Sequence, residues 1–176
     1  IDWDERSKWA EFWLVDPLDG TKEFLKKNGE FTVNIALIRH NKPVMGVIYA
    51  PALKTLYYAS KGLGSYKHLN VFNHEDINFL NKNNLITTKN TLDNLKIVAS
   101  RSHPSELLEK WLKNQNHYKL IDSGSSLKFC LVAEGVADVY PRFVGSSEWD
   151  IAAGHIILTE AKGVILDENN NELLFN

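Results

Sequence analysis

The chain has 176 residues, 44% of them hydrophobic, enough to bury the core of one domain or of a large part of one. Twenty Lys and Arg against 22 Asp and Glu give a net charge of −2, which supplies no overall field for nucleic acid or an anionic membrane and leaves only a local anion site. With Cys130 as the single cysteine and no run near the ~20 apolar residues of a membrane span, the reading excludes an intramolecular disulfide, a thiolate cluster built from this chain alone and an integral membrane segment, and a reducing, cytoplasmic setting is expected.

The chain opens on Ile1 in a Trp-rich acidic stretch that runs straight into a strand, which has the look of a cut end. Phe12-Trp13-Leu14-Val15 predicts a short buried strand, stopped by Pro17 and Gly20, so that Asp16 and Asp19 fall at its carboxyl end. Thr21 to Lys27 predicts a short helix with Gly29 as its C-cap. Phe31 to Arg39 and Val44 to Tyr49 read as a hairpin turning at Asn41-Lys42-Pro43, and Thr55 to Ala59 and Leu63 to Lys67 extend it into a mostly antiparallel sheet. From Asn70 to Asn94 the Asn- and Lys-rich composition predicts an exposed, loosely ordered connection or an edge excursion.

Beyond it the pattern alternates: strand 96–99, helix 105–113, strand 119–121, helix 126–134, strand 136–140, helix 150–161 and a last strand 164–166, with a turn at Asn169-Asn170-Asn171. The expected organisation is a metal-loop and antiparallel part over 1–94 and an α/β part over 95–176, together forming one partial catalytic domain. Cys130, within Phe129-Cys130-Leu131-Val132, reads as core. No motif sets an oligomeric state.

Asp16-Pro17-Leu18-Asp19-Gly20-Thr21 places two carboxylates three residues apart, the hard oxygen donors that Mg²⁺ takes. Gly20 lets a phosphate approach the backbone, and the helix start at Thr21 offers N–H donors. Asp, Pro and Gly are also the commonest turn residues, so the loop alone reads equally well as a turn. Asp150 in Trp149-Asp150-Ile151-Ala152-Ala153-Gly154 is either a helix-terminal charge or a third carboxylate brought to the same loop. Ser100-Arg101-Ser102-His103 and Gly124-Ser125-Ser126 each follow a strand and suit either an N-cap or an anion. Lys128 and Arg142 are candidate anion contacts or ordinary surface charges. A serine elbow and a P-loop are both missing from the sequence.

Taken together, Trp13 to Phe24 and Trp149 to Gly154 resemble the two signatures of the inositol monophosphatase superfamily. Lys22-Glu23-Phe24 with Asn28-Gly29-Glu30-Phe31-Thr32-Val33-Asn34-Ile35-Ala36 resembles its bacterial 3′(2′),5′-bisphosphate nucleotidase branch, as do the segments at Ser100, Gly124 and Tyr140-Pro141-Arg142-Phe143. The resemblance implies a layered αβαβα sugar-phosphatase fold with mixed, largely antiparallel sheets. It also implies lithium-sensitive, Mg²⁺-dependent removal of the 3′-phosphate of adenosine 3′,5′-bisphosphate, in the service of sulfur assimilation.

On that basis Asp16 bridges two Mg²⁺ ions, the Leu18 carbonyl completes the first site, and Asp19 and Asp150 hold the second. Gly20 and Thr21 bind the reacting phosphate, with Thr21 helping to position the attacking water. Gly124, Ser125, Ser126, Lys128 and Arg142 meet the small nucleotide substrate. The resemblance further calls for a Glu-Glu pair and an earlier acid upstream of the loop, and a strand and tail after Leu174, none of which the 176 residues contain. An inositol or sugar monophosphatase and an inactive fragment with residual binding are the alternative expectations.

Overall fold

The structure, a computed structural model, describes residues 1–73, 80–89, 94–101, 105–143 and 145–176. Period-two burial directs the early strands. In β1 (Glu11–Asp19) Phe12 and Leu14 are buried while Trp13 and Val15 face out, and β2 (Thr32–Arg39) buries Thr32, Asn34, Ala36 and Ile38 in one phase. With β3 (Lys42–Ala50), β4 (Thr55–Ser60), β5 (Gly64–His68) and β6 (Leu85–Ile86) they form a six-stranded sheet in sequential order, every neighbouring pair antiparallel.

The β2–β3 hairpin turns through His40 and Asn41, at φ 48° and 63°, with Arg39 paired to Lys42. Two left-handed residues in a two-residue loop are the type I′ pattern, whose twist matches that of the strands. The turn therefore lies ahead of the expected Asn41-Lys42-Pro43. Pro43 already pairs within β3, and a register shift beside it accommodates a residue with no N–H to donate.

In the second half β7 (Leu95–Ser100) and β8 (Tyr118–Ser123) form a parallel pair joined through α3 (Glu106–Leu112), followed by α4 (Leu127–Ala133) and α5 (Glu148–Glu160). α5 lies between the six-stranded sheet and α4, and α4 in turn meets β7. Covered on both sides, α5 is buried without a break from Ala152 to Leu158. Sheet, helix pair and second sheet are thus stacked layers around one core, which draws Phe12, Ile48, Val98, Cys130 and Ile157 from both halves of the chain. Cys130 is fully buried, and that burial pushes its thiol pKa well up, away from reactivity.

The helix–sheet contact is closest at Gly46. A Cβ there would lie 2.3 Å from Ile156 Cγ2 and 2.8 Å from the Ala153 carbonyl oxygen. Gly46→Ala is therefore expected to cost roughly 1–3 kcal/mol by overpacking, read as a lower denaturant midpoint at unchanged slope.

Several expected elements differ. Residues 136–140 contribute only the isolated bridge Ile97↔Val139, because the Asp138 side chain accepts the Lys96 N–H (2.7 Å) in place of a ladder carbonyl. Residues 164–166 reduce to the bridge Leu166↔Glu172, since the chain doubles back at once through a turn in which Asp167 accepts the N–H groups of Asn169 and Asn171 and Asn170 takes φ 63°. α2 (Thr21–Leu25) stops short of the expected Lys27, whose φ of 55° ends the helix before Gly29 is reached. The single helical turn α1 (Trp3–Arg6) was not anticipated, and β6, the edge strand of the sheet, falls in the stretch read as a loose connection or an edge excursion. Ser102 and His103 lie outside the described residues.

Candidate metal and phosphate site

The site begins where β1 breaks its register. Asp16 pairs with Asn34 and Asp19 with Thr32, and the shift between them throws Pro17 and Leu18 into a bulge. Leu18 N–H donates to Asp16 Oδ1 (3.0 Å), which fixes that carboxylate against its own loop. Gly20, at φ 80°, then turns the chain into α2. The Leu18 carbonyl faces the Thr21 hydroxyl at 3.5 Å, a long contact that leaves both oxygens available.

Asp19 is held from below by a buried polar network. Its Oδ2 accepts the Ser126 N–H at 2.6 Å, and Asn34 Nδ2 and Thr32 Oγ1 approach it at 3.4 and 3.5 Å. Ser126 Oγ donates to Asn34 Oδ1 (2.7 Å) and lies 2.8 Å from Thr32 Oγ1. Thr32, Asn34 and Ser126 are all buried, so the network ties the end of β1 to the start of α4. Asn34→Leu strands partners on both sides and is expected to lower stability by roughly 1–3 kcal/mol, measured by chemical denaturation.

Asp150 comes from the opposite direction. It is the third residue of α5, and its Oδ2 accepts the Ser147 N–H (3.1 Å) in a capping box. This places it against the loop: carboxylate oxygens of Asp16, Asp19 and Asp150 all lie within 4.8 Å of one another. Burial raises the Asp16 pKa, opposed by the Leu18 N–H and assisted by the Asp19 and Asp150 charges. Burial likewise raises that of Asp19, opposed by the Lys128 charge and by the bonds from Asn34 and Ser126, and assisted by Asp150. Converging carboxylates that repel one another form a hard-oxygen donor set that fits a divalent cation.

A cleft of about 320 Å³ opens beside this cluster, its lining including Asp19, Gly20, Thr21 and Asp150 together with Ser125, Ser126, Lys128 and Arg142. Lys128 is buried, and that burial holds its pKa down to about 8, with Arg142 lowering it further and Asp19 raising it. Its Nζ donates to the Ser125 carbonyl and lies 5.4 Å from the centre of the Tyr140 ring. Arg142 donates to Tyr140 Oη (2.9 Å) and stands 3.8 Å from Asp150. The cleft therefore sets Lys128 and Arg142, with Lys22 also on its lining, beside the cluster of Asp16, Asp19 and Asp150.

Gly124 is not part of the lining. Its N–H donates to Glu30 Oε2 (2.8 Å), and a Cβ on it would fall 2.4 Å from Glu23 Cγ. Arg101 clamps Glu30 Oε1 (3.1 Å) and donates to the Asp122 carbonyl (3.0 Å), so the loop before α4 is braced rather than free. Sequence reasoning passed over Thr32 and Asn34 as site residues. Their signal was present: two polar residues in the core-facing phase of a strand whose other inward positions are Ala36 and Ile38. Glu23, which also lines the cleft, was likewise not singled out.

The sequence profile of the inositol monophosphatase family matches residues 3–176. The 3′(2′),5′-bisphosphate nucleotidase CysQ of Salmonella typhimurium is 47% identical over 165 residues, covering 94% of this chain and 62% of that protein. The protein of the same name from Buchnera aphidicola is 48% identical over 157 residues, covering 89% and 55%. Among solved structures, CysQ from Bacteroides thetaiotaomicron superposes with a TM-score of 0.83 at 48% identity, covering 92% of this chain and 63% of that one. Inositol monophosphatase from Anabaena gives 0.75 at 27%, covering 94% and 63%. The chain thus spans somewhat over half the length of these relatives. With the profile matched along nearly its whole length, the chain belongs to the inositol monophosphatase family.

Proposed function

We propose that this chain carries the metal and phosphate centre of a Mg²⁺-dependent phosphatase that removes the 3′-phosphate of adenosine 3′,5′-bisphosphate to give AMP and phosphate, a cytoplasmic activity serving sulfur assimilation. The observation that carries the reading is the cluster of Asp16, Asp19 and Asp150 beside a cleft holding Lys128 and Arg142, in a chain 47% identical to a protein named for that activity.

Asp16, Asp19 and Asp150, with the Leu18 carbonyl, are the residues that would hold Mg²⁺. Bound there, the ion supplies positive charge for in-line attack of water on phosphorus and for the departing 3′-oxygen. The rest falls to the chain itself. Gly20 keeps the backbone bare where the phosphate comes in, and the Thr21 hydroxyl stands beside the metal loop, where it can orient the attacking water. Lys128 and Arg142 face the charge of a phosphorylated substrate, and an arriving phosphate raises the Lys128 pKa from about 8 and secures its proton. The network under Asp19 fixes that carboxylate before substrate arrives.

The test is a substrate panel run on this chain and on the longest open reading frame that contains it. A kcat/KM at least tenfold higher for adenosine 3′,5′-bisphosphate than for inositol 1-phosphate, with inhibition by Li⁺, is expected. The reverse preference replaces this reading with an inositol phosphatase.

A further inference from the structure

The acids around the cleft are all supplied with donors except one. Asp16 takes the Leu18 N–H, Asp19 the Ser126 N–H, Asp150 the Ser147 N–H, and Glu30 the Gly124 N–H and Arg101. Glu23, on α2, is only 3% exposed and lines the cleft, yet no described residue donates a hydrogen bond to its carboxylate. It lies outside the group of acids that converge for a metal. The Lys128 charge interacts with that of Glu23, but its Nζ donates to the Ser125 carbonyl.

With its oxygens outside the set of enclosed, unpartnered polar atoms, this carboxylate keeps its remaining exposure to the cleft, where a donor on whatever binds there can reach it. The side chain is also fixed in place, because it fills the space that a Cβ on Gly124 would occupy, with Cγ at 2.4 Å and Cδ at 3.0 Å from that point. A negative group in an anion-binding cleft repels phosphate, so what it can accept is the donor part of the substrate. Glu23 is two residues from Thr21 and four from Asp19, and all three line the same cleft, in which the proposed function puts the reacting phosphate at Gly20 and Thr21. On a ribose the donor next to that phosphate is the vicinal hydroxyl.

We infer that Glu23 is a specificity residue, whose carboxylate accepts a hydrogen bond from the ribose hydroxyl adjacent to the reacting phosphate. This rests on the nucleotide reading above. A hydrogen bond to a charged group corresponds to roughly a 10- to 100-fold preference, and a site built to pair a hydroxyl rejects the analogue lacking it.

The experiment is calorimetric titration, in Mg²⁺, of the wild-type chain, Glu23→Gln and Glu23→Met with adenosine 3′,5′-bisphosphate and its 2′-deoxy analogue, using Ca²⁺ in a parallel series to suppress turnover. Wild type should favour the ribonucleotide by about 10- to 100-fold. Glu23→Met should bring the ratio near one, and Glu23→Gln, which keeps the packing against Gly124 and one acceptor oxygen, should fall between. Equal wild-type affinity for the two nucleotides, or an unchanged ratio in Glu23→Met, overturns the role of Glu23 and leaves the nucleotidase reading standing. A wild type that binds neither nucleotide overturns both.

Discussion

Asp16→Asn is expected to make the metal-free chain more stable at neutral pH and at the same time to erase its stabilisation by Mg²⁺. The Asp16 and Asp19 pKa values are raised in the fold, by burial first and by the neighbouring acids as well. For a raised carboxyl the folded state holds more protons than the unfolded state between the unfolded pKa, the ordinary 3.8, and the higher folded value. Without metal, stability therefore falls as pH rises through that window, and the full cost is present at neutral pH. An amide at position 16 removes one of the repelling charges and keeps an oxygen to accept the Leu18 N–H. On the proposed function Mg²⁺ should reverse the sign by binding the ionised form, so that the wild type gains stability with metal concentration. Thermal melts in EDTA and in Mg²⁺ across pH 4–8 check this. A metal-dependent rise in melting temperature that survives Asp16→Asn would remove Asp16 from the site.

Asp150→Asn should lower turnover by at least about 10³-fold while leaving the melting temperature in EDTA within a few degrees of wild type. The amide oxygen can still accept the Ser147 N–H that closes the capping box, so the start of α5 keeps its cap. What is lost is the charge that meets Asp16 and Asp19 from across the fold. Transition-state stabilisation by a metal held in a preorganised, partly buried site is worth several kcal/mol, which is where the thousandfold comes from. Phosphate release measured at saturating substrate separates the two effects. Near-normal turnover would mean that Asp150 is only a helix cap.

The convergence of Asp16, Asp19 and Asp150 in the candidate site was legible in the chain because its two acidic motifs are local. The spacing of Asp16 and Asp19 around Pro17 encodes the bulge that turns both carboxylates to one side, and Asp150 at a helix start is a local pattern too. The strands were legible where period two is clean, as in β1 and β2, although α1 and β6 were too short to carry a period. What remained hidden depends on partners far apart in sequence. Ser126 reaches Asp19 across 107 residues, and Arg101 braces Glu30 from the end of β7. Asp138 replaces a ladder carbonyl with its own side chain, which no propensity anticipates. The donorless carboxylate of Glu23 emerges only when the cleft around it is assembled.

The measurement that bears most directly on the central claim is phosphate release from adenosine 3′,5′-bisphosphate by the longest reading frame containing this chain, followed as Mg²⁺ is titrated into metal-free protein. Release that is absent in EDTA, rises saturably with Mg²⁺ and is lost in Asp16→Asn is the predicted result. A folded protein that releases phosphate equally well in EDTA, or whose Mg²⁺ dependence is untouched by that substitution, would contradict it.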